Sequence, residues 1–422
     1  MALMNDHEKR VRAHHPRRGA AEVLKFIGPG LLVTVGFIDP GNWASNVAAG
    51  SYFGYALLWV ITLGTIMLIL LQHNAAHLGI VSGLCLSEAA AAHLPHLTGR
   101  LFLGSGVLAT VATALAEVLG AAIGLQMLFH IPLTIGAAMT AAAVLVVLFT
   151  NSYRRIERYV IGLVSLIGLA FLYELYLVDV PWATVVTSWV TPSIPRGALP
   201  ITIAVLGAVV MPHNLFLHSE IIQSRQWNLM NEGTIKRQLR YEFLDTLLAM
   251  GVGWAINSAM IIVAAALFFT HGLKVTELPQ AQQLLHPLLG HAAALVFAIA
   301  LLLSGFASSV TAGMAGATIW AGLYNEPFDL QDIHSRTGVL VTLLPAVALV
   351  FLLRDPFQGL IWSQVGLSVQ LPATIAVLIL LTSSAKVMGS YKNTLTTKIT
   401  LWTTAAIVTV LDVALLVYLT TP

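Results

Sequence analysis

Along this chain, apolar runs of membrane-crossing length alternate with short stretches that are polar, basic or proline-bearing. A helix needs about 20 apolar residues to cross a bilayer. Eleven such runs stand out, centred on residues 27–52, 54–78, 100–128, 131–150, 159–178, 198–222, 241–270, 292–323, 337–353, 357–382 and 397–420. Runs of this length exclude a β-barrel, whose strands read as alternating segments of about 10 residues. The longest polar stretches, 224–242 and 270–290, are too short for a soluble domain. The segment 180–196, with three prolines and two tryptophans, reads as lying at the outer interface. The pattern predicts an all-α polytopic membrane protein.

Composition agrees. Hydrophobic residues make up 57% of the 422 and charged residues 9%, against about 25% charge in a soluble domain. Disorder and a disulfide scaffold are excluded, because the single cysteine, Cys85, has no intrachain partner and cannot build a multi-cysteine metal site. A net charge of +2 is too balanced for a nucleic-acid partner; the expected partners are the lipid bilayer and whatever the bundle carries. With the N-terminus inside, 18 basic residues fall on the inner side and only Arg196, Lys274 and Arg354 on the outer, as the positive-inside rule requires. Residues 1–24 are then a cytoplasmic tail, and eleven spans put the C-terminus on the extracytoplasmic side. The first apolar run continues past Asp39, which argues against a cleaved signal peptide. The short polar ends point to the inner (plasma) membrane of a prokaryote.

Two runs are interrupted. The first reads Val35-Gly36-Phe37-Ile38-Asp39-Pro40-Gly41-Asn42, with an acid, a proline, a glycine and an amide in mid-membrane. A carboxylate there costs about 2.5–3.5 kcal/mol on insertion scales. Proline and glycine favour a broken helix. The break frees backbone carbonyls that lipid cannot satisfy, and a cation would serve. The sixth run repeats the device as Gly207-Ala208-Val209-Val210-Met211-Pro212-His213-Asn214. One proline kink is tolerated in a membrane helix. Two kinks five spans apart, carrying Asp, Asn, Met and His, point to a secondary transporter's substrate site. An odd number of spans per half requires the second half to insert upside down.

Asp39 supplies charge and a hard oxygen, and Asn42 a neutral oxygen. Carbonyls freed at half-helix ends, such as that of Ala208, add partial negative charge. Together they suit a divalent cation. Met211 adds a thioether, which does nothing for Mg²⁺ or Ca²⁺ but is acceptable to softer transition metals. The residues therefore read as a site for Mn²⁺ or Fe²⁺ as transported substrate, with no resident cofactor. A lone membrane methionine is usually packing; its place beside Pro212 marks Met211. His213 and His218 lead from the second break toward the cytoplasm and read either as a proton relay or gate, or as hydrogen-bonded bundle residues. Glu117, in the middle of the third run, reads either as a proton acceptor or as a packing partner.

The breaks Asp39-Pro40-Gly41-Asn42 and Met211-Pro212-His213-Asn214 resemble the signatures of the Nramp (natural resistance-associated macrophage protein) divalent metal transporters. So do Ala116-Glu117-Val118-Leu119-Gly120 in the third run and Ser363-Gln364-Val365 and Gln370-Leu371-Pro372 in the tenth. The similarity covers roughly residues 25–385. It implies a LeuT-like fold of two inverted five-helix repeats, 25–178 and 198–382, with an additional helix at 395–420. It also implies proton-linked uptake of Mn²⁺ or Fe²⁺ by alternating access. Carried over residue by residue, the ligands are Asp39, Asn42, Met211 and the Ala208 carbonyl, with Gln364 joining in some conformations. The chain departs from the family at Ala114, where an aspartate is usual. It departs again at Ile333-His334-Ser335-Arg336, where an arginine pair is frequent, and at Phe306 and Ala317, where glutamines are. Proton coupling then runs through Asp39, Glu117 and the histidines, or is weak.

Three rival functions are weighed by the same residues. A LeuT-fold carrier of a small organic substrate needs room for an anion, which Asp39 would repel. An intramembrane metalloenzyme built on the 14 histidines lacks a His₂–carboxylate cluster, so the chain is not read as an enzyme. A broader, Mg²⁺-type carrier without proton coupling leaves Met211 without a role. His73 and His77 share a helix face but lack an intervening Glu, which favours an interfacial role. Asp245 and Asn257 read as bundle-stabilising, and Asp412 as facing a helix or the interface. The basic runs 9–18 and 236–240 read as topology signals in contact with anionic lipid.

Overall fold

The computed structural model describes residues 34–150, 153–223 and 227–420. The expected tail, 1–24, and the start of the first apolar run, up to residue 33, lie outside the described residues. A 3₁₀ turn, Val35–Ile38, leads into α1 (Pro40–Phe53). It is followed by α2 (Leu58–Ser82), a short α3 (Leu86–His93), α4 (His96–Phe129), α5 (Leu133–Thr150), α6 (Tyr153–Tyr176) and α7 (Trp182–Val190). Two half-length helices come next, α8 (Leu199–Val209) and α9 (Pro212–Gln223). Then come α10 (Glu232–Ala264), closed by a π turn (Ala265–Phe269), α11 (Leu278–Leu289), α12 (His291–Leu323), α13 (Ile333–Leu352), α14 (Pro356–Thr382), α15 (Ala385–Met388) and α16 (Leu395–Thr420). Among the described residues there is no strand.

Among the described residues nine stretches are long and apolar enough to cross a membrane, α8 and α9 counting as one. They coincide with nine of the eleven expected runs. Of the other two, the first is described only from its break onward, as the 14-residue α1. The fifth, α6, opens with basic residues, and its apolar part is Ser165–Tyr176. The polar stretches are more ordered than their composition suggested. Residues 232–242 extend α10 beyond its apolar part, capped by Asn231 Oδ1 accepting from Thr234 N at 2.9 Å. A Lys236–Glu232 pair at 2.9 Å, one turn apart, adds support. The 270–290 stretch contains α11, which buries Leu278, Ala281 and Leu285 on one face. The 180–196 segment contains α7, and the link between the second and third runs contains α3. Asp332 caps α13 by accepting the N–H of His334 at 2.8 Å, and that bond holds its carboxyl below the usual carboxylate range.

Burial separates centre from periphery. In the apolar window of α4, 83% of residues are buried inside the protein, against 33% in α5 and in α16. Leu166, Leu169 and Leu172 on α6 and Val410, Val413, Leu416 and Val417 on α16 are exposed, a surface suited to lipid rather than water. At the centre α12 lies along α4. A Cβ on Gly305 would fall 2.8 Å from the Ala121 Cα and the Glu117 carbonyl, and one on Gly124 would fall 2.8 Å from the Leu302 Cα. Only glycine lets the backbones approach this closely, as at membrane helix interfaces generally. Outside them, Ser368 Oγ on α14 donates to Asp412 Oδ1 on α16 at 2.7 Å, so Asp412 faces a helix. Gly305→Val should destabilise the bundle by about 1–3 kcal/mol, read as a lowered Tm in detergent. Leu416→Ala on the lipid face should cost about 0.5 kcal/mol or less. Equal effects of the two would contradict this packing.

Candidate functional site

Asp39 precedes a proline, which pushes it out of the helical region. It is extended, at φ −73° and ψ 166°. Pro40 therefore ends the 3₁₀ turn and opens α1 in one step. In the sixth run, α8 ends at Val209 and α9 begins at Pro212, leaving Val210 and Met211 between the halves. The carbonyls freed by the first break are met largely by side chains. Phe37 O accepts from Asn257 Nδ2 at 2.6 Å. Ile38 O accepts from Ser304 Oγ at 2.5 Å and from Trp43 Nε1 at 3.1 Å. Side chains of the protein thus satisfy the Phe37 and Ile38 carbonyls, and no cation is needed at these two.

The remaining oxygens converge on one amide. Asn42 Nδ2 donates to Asp39 Oδ1 at 2.9 Å and to Ala208 O at 2.9 Å, and it lies 3.4 Å from Gly36 O. Asn42 N also donates to Asp39 Oδ1, at 2.6 Å. One NH₂ group, with two protons, thus sits among three acceptors drawn from both broken helices. Glycine lets further amides approach. A Cβ on Gly36 would meet the Asn214 amide, and one on Gly41 would meet the Gln364 side chain. Met211 is fully buried beside Ala109 and Leu367, and its Sδ accepts from Asn214 Nδ2 at 3.6 Å. Around this junction Asp39 Oδ2, Asn42 Oδ1, Glu117 Oε1, Asn214 Oδ1 and Gln364 Oε1 are all buried with no hydrogen-bond partner among the described residues. Buried polar atoms in native proteins are nearly always paired. Five unpaired oxygens about one junction are chemically suited to a cation or a donor.

Glu117 belongs to the same constellation. Like Asp39, it is fully buried. Its Oε2 accepts from Ser308 Oγ on α12. Beyond the second break, α9 is buried along its length. His213 Nδ1 lies 3.0 Å from Thr113 Oγ1, next to Ala114 on α4. His218 Nδ1 lies 2.9 Å from Gln72 Oε1 on α2. Beside Gln72, His73 Nδ1 contacts Glu242 Oε2 at 2.5 Å, and Glu242 Oε1 accepts from Thr246 Oγ1 at 2.7 Å. His73 thus finds its carboxylate on α10, and its ring stacks on that of His77.

Asp39, Asn42, Ala208, Met211, Gln364 and Glu117 are brought together at the junction of the two breaks. His213 and His218 lead away from it along α9. His334 and Arg336 are held elsewhere: His334 Nδ1 contacts Glu326 Oε2 at 2.7 Å, and Arg336 Nε donates to Leu330 O at 2.8 Å. Four residues of the site were not singled out from the sequence as parts of it. They are Asn214, Asn257, Ser304 and Ser308. Asn214 had a signal, the repeated Pro-x-Asn of 40–42 and 212–214. Ser304 and Ser308 had only their spacing of one turn on α12.

The sequence profile of the family described as natural resistance-associated macrophage protein-like (Nramp) matches residues 30–418. The divalent metal cation transporter MntH of Caldanaerobacter subterraneus subsp. tengcongensis is 38% identical over 405 residues, covering 94% of this chain and 93% of that protein. The solved manganese transporter of Eremococcus coleocola has a TM-score of 0.82 at 32% identity, over 94% of this chain and 87% of that one. Mhp1, a nucleobase-cation-symport-1 family transporter, has a TM-score of 0.62 at 16% identity, over 83% and 77%. The last likeness bears on the fold alone, which is LeuT-like.

Asn257→Leu leaves the Phe37 carbonyl without its donor and should cost about 1–3 kcal/mol, measured as a drop in Tm. An unchanged Tm would mean that this carbonyl does not depend on Asn257.

Proposed function

We infer that this chain, which belongs to the Nramp family, is a membrane transporter of divalent metal cations, and we propose that it imports Mn²⁺ or Fe²⁺ by alternating access. The observation that carries the reading is the cluster of buried, unpaired oxygens at the junction of the two breaks. Asp39, Asn42, the Ala208 carbonyl and Met211 hold the ion, and Gln364 joins as α14 moves against Gly41. Asn42 acts as the switch. Turning its amide replaces Nδ2 with Oδ1 at the point where Asp39 Oδ1 and Ala208 O converge, which converts a donor among acceptors into a set of oxygens for a cation. The Met211 thioether discriminates against hard cations.

The import is proton-linked. In this reading the buried carboxyls of Asp39 and Glu117 hold one proton between them, and a dication against Asp39 displaces it. The proton leaves along the polar side chains beside α9, His213 and His218, and onward to His73 and Glu242. This route does not require the aspartate that Ala114 replaces. The 18-to-3 distribution of basic residues supports an N-terminus in the cytoplasm and an extracytoplasmic C-terminus, and the bacterial relatives support a prokaryotic inner membrane. The recurrence of the break after five spans supports repeats at 25–178 and 198–382, with 395–420 added. Uncoupled carriage is the second reading, and Ala114 is the residue that favours it.

In proteoliposomes, Asp39→Ala should lower Mn²⁺ uptake by at least about tenfold, the smallest loss expected when a direct ligand is removed. Met211→Ala should keep uptake while raising competition by Ca²⁺ and Mg²⁺ about tenfold, or about 1.4 kcal/mol. Unchanged competition would remove the selectivity role of the thioether. Mn²⁺ influx should acidify the lumen and quicken with an inward proton gradient; influx indifferent to the gradient would establish the uncoupled reading.

A further inference from the structure

At the far end of α9 from Met211 lies a second group of donors. Cys85, Glu88 and Glu220 each offer a ligand atom, and these atoms all lie within 4.8 Å of one another. Cys85 and Glu220 are buried and Glu88 is partly exposed. The local fold accounts for two of the three. Cys85 precedes α3, and Glu88 Oε2 accepts from Cys85 N at 2.8 Å, closing the helix start. Ser87 Oγ, 3.1 Å from Cys85 Sγ, donates to Thr318 O at 2.9 Å. Leu86 N donates to Ser219 Oγ at 2.9 Å, which fixes α3 against α9.

Helix capping leaves Glu220 unexplained. The residue is 5% exposed, and its Oε2 has no hydrogen-bond partner among the described residues. Among those residues neither Glu88 nor Glu220 has a basic partner. Two carboxylates drawn together, one buried and one partly so, with no cation from the protein, are costly while charged unless something positive joins them.

We propose that Cys85, Glu88 and Glu220 form a second divalent transition-metal site, separate from the junction of the broken helices. An ion held at about 2.0–2.3 Å by each donor keeps its donors within about 4.5 Å of one another. Small side-chain rotations therefore close the set. One sulfur and two carboxylates select borderline ions such as Co²⁺, Zn²⁺ or Cd²⁺ over Mg²⁺ and Ca²⁺. The ligating form of cysteine is the thiolate, so binding forms a metal–sulfur bond and releases the thiol proton to water. The bound ion ties α3 to α9. The site stands on its own donors and does not rest on the transport reading.

The chain has one cysteine, which makes the test specific. Co²⁺ is titrated into the full-length, reduced protein carrying Asp39→Ala, so that the junction does not compete. The expected result is a thiolate-to-cobalt charge-transfer band that saturates at a single equivalent and is absent with Cys85→Ser. Glu220→Gln, which keeps the cysteine, should weaken Co²⁺ binding by at least about tenfold. No band, in protein whose helical circular dichroism matches the unaltered chain, would overturn the proposal. So would a band that Glu220→Gln leaves unchanged. Loss of Mn²⁺ uptake by the unaltered chain, with the band intact, would sink the transport reading and leave this site standing.

Discussion

A backbone that leaves its helix inside a membrane must have every freed polar group met by protein, because lipid offers nothing. This chain does so twice, at 35–39 and at 209–212, and the two places answer each other. Asn42, just after the first break, donates to Ala208 O, just before the second. The same amide holds Asp39 Oδ1. The two interruptions are therefore one structure, and the rest of the bundle is arranged so that they meet.

That arrangement starts with small residues. Gly305 and Gly124 let α12 and α4 lie close enough for Ser308 to reach Glu117, while Ser304, one turn earlier on the same face, reaches Ile38 O. Glycine at 36 and 41 does the same for the amides of Asn214 and Gln364. The packing that brings the helices together is also what delivers the donors and acceptors. A larger side chain at any of these positions would alter spacing and chemistry together.

The core of the site was legible in the sequence because its residues are expensive where they stand. An aspartate and two Pro-x-Asn segments inside apolar runs are conspicuous, and their offset of five spans relates them. The side chains that complete the site were not legible in that way. Asn257 reaches Phe37 across 220 residues of sequence, Ser304 reaches Ile38 across 266, and Ser308 reaches Glu117 across 191. Serine and asparagine are ordinary in a helix, and only the packing tells which of them cap a carbonyl. The short helices α7 and α11 were hidden for another reason. α7 buries only Val185 and α11 only Leu278, Ala281 and Leu285, and over 9 and 12 residues that signal is diluted by proline and polar neighbours.

α9 concentrates these constraints. From Pro212 to Ile222 every residue is buried, and five of them, His213, Asn214, His218, Ser219 and Glu220, are polar. A helix that serves only to fill a membrane bundle needs no such set, since each buried polar group must find a partner or cost stability. Here Asn214 meets Met211 Sδ at the break, His213 and His218 meet donors or acceptors on α4 and α2, and Ser219 holds α3. Met211 and Glu220 are nine residues apart, or about 13 Å along the axis at 1.5 Å per residue. A rod of that length, anchored at both ends by polar contacts to different helices, cannot shift at the break without straining those at its far end. The polar residues of α9, spread round the helix, therefore tie one element both to the junction and to the connection between α2 and α4, through bonds between named side chains.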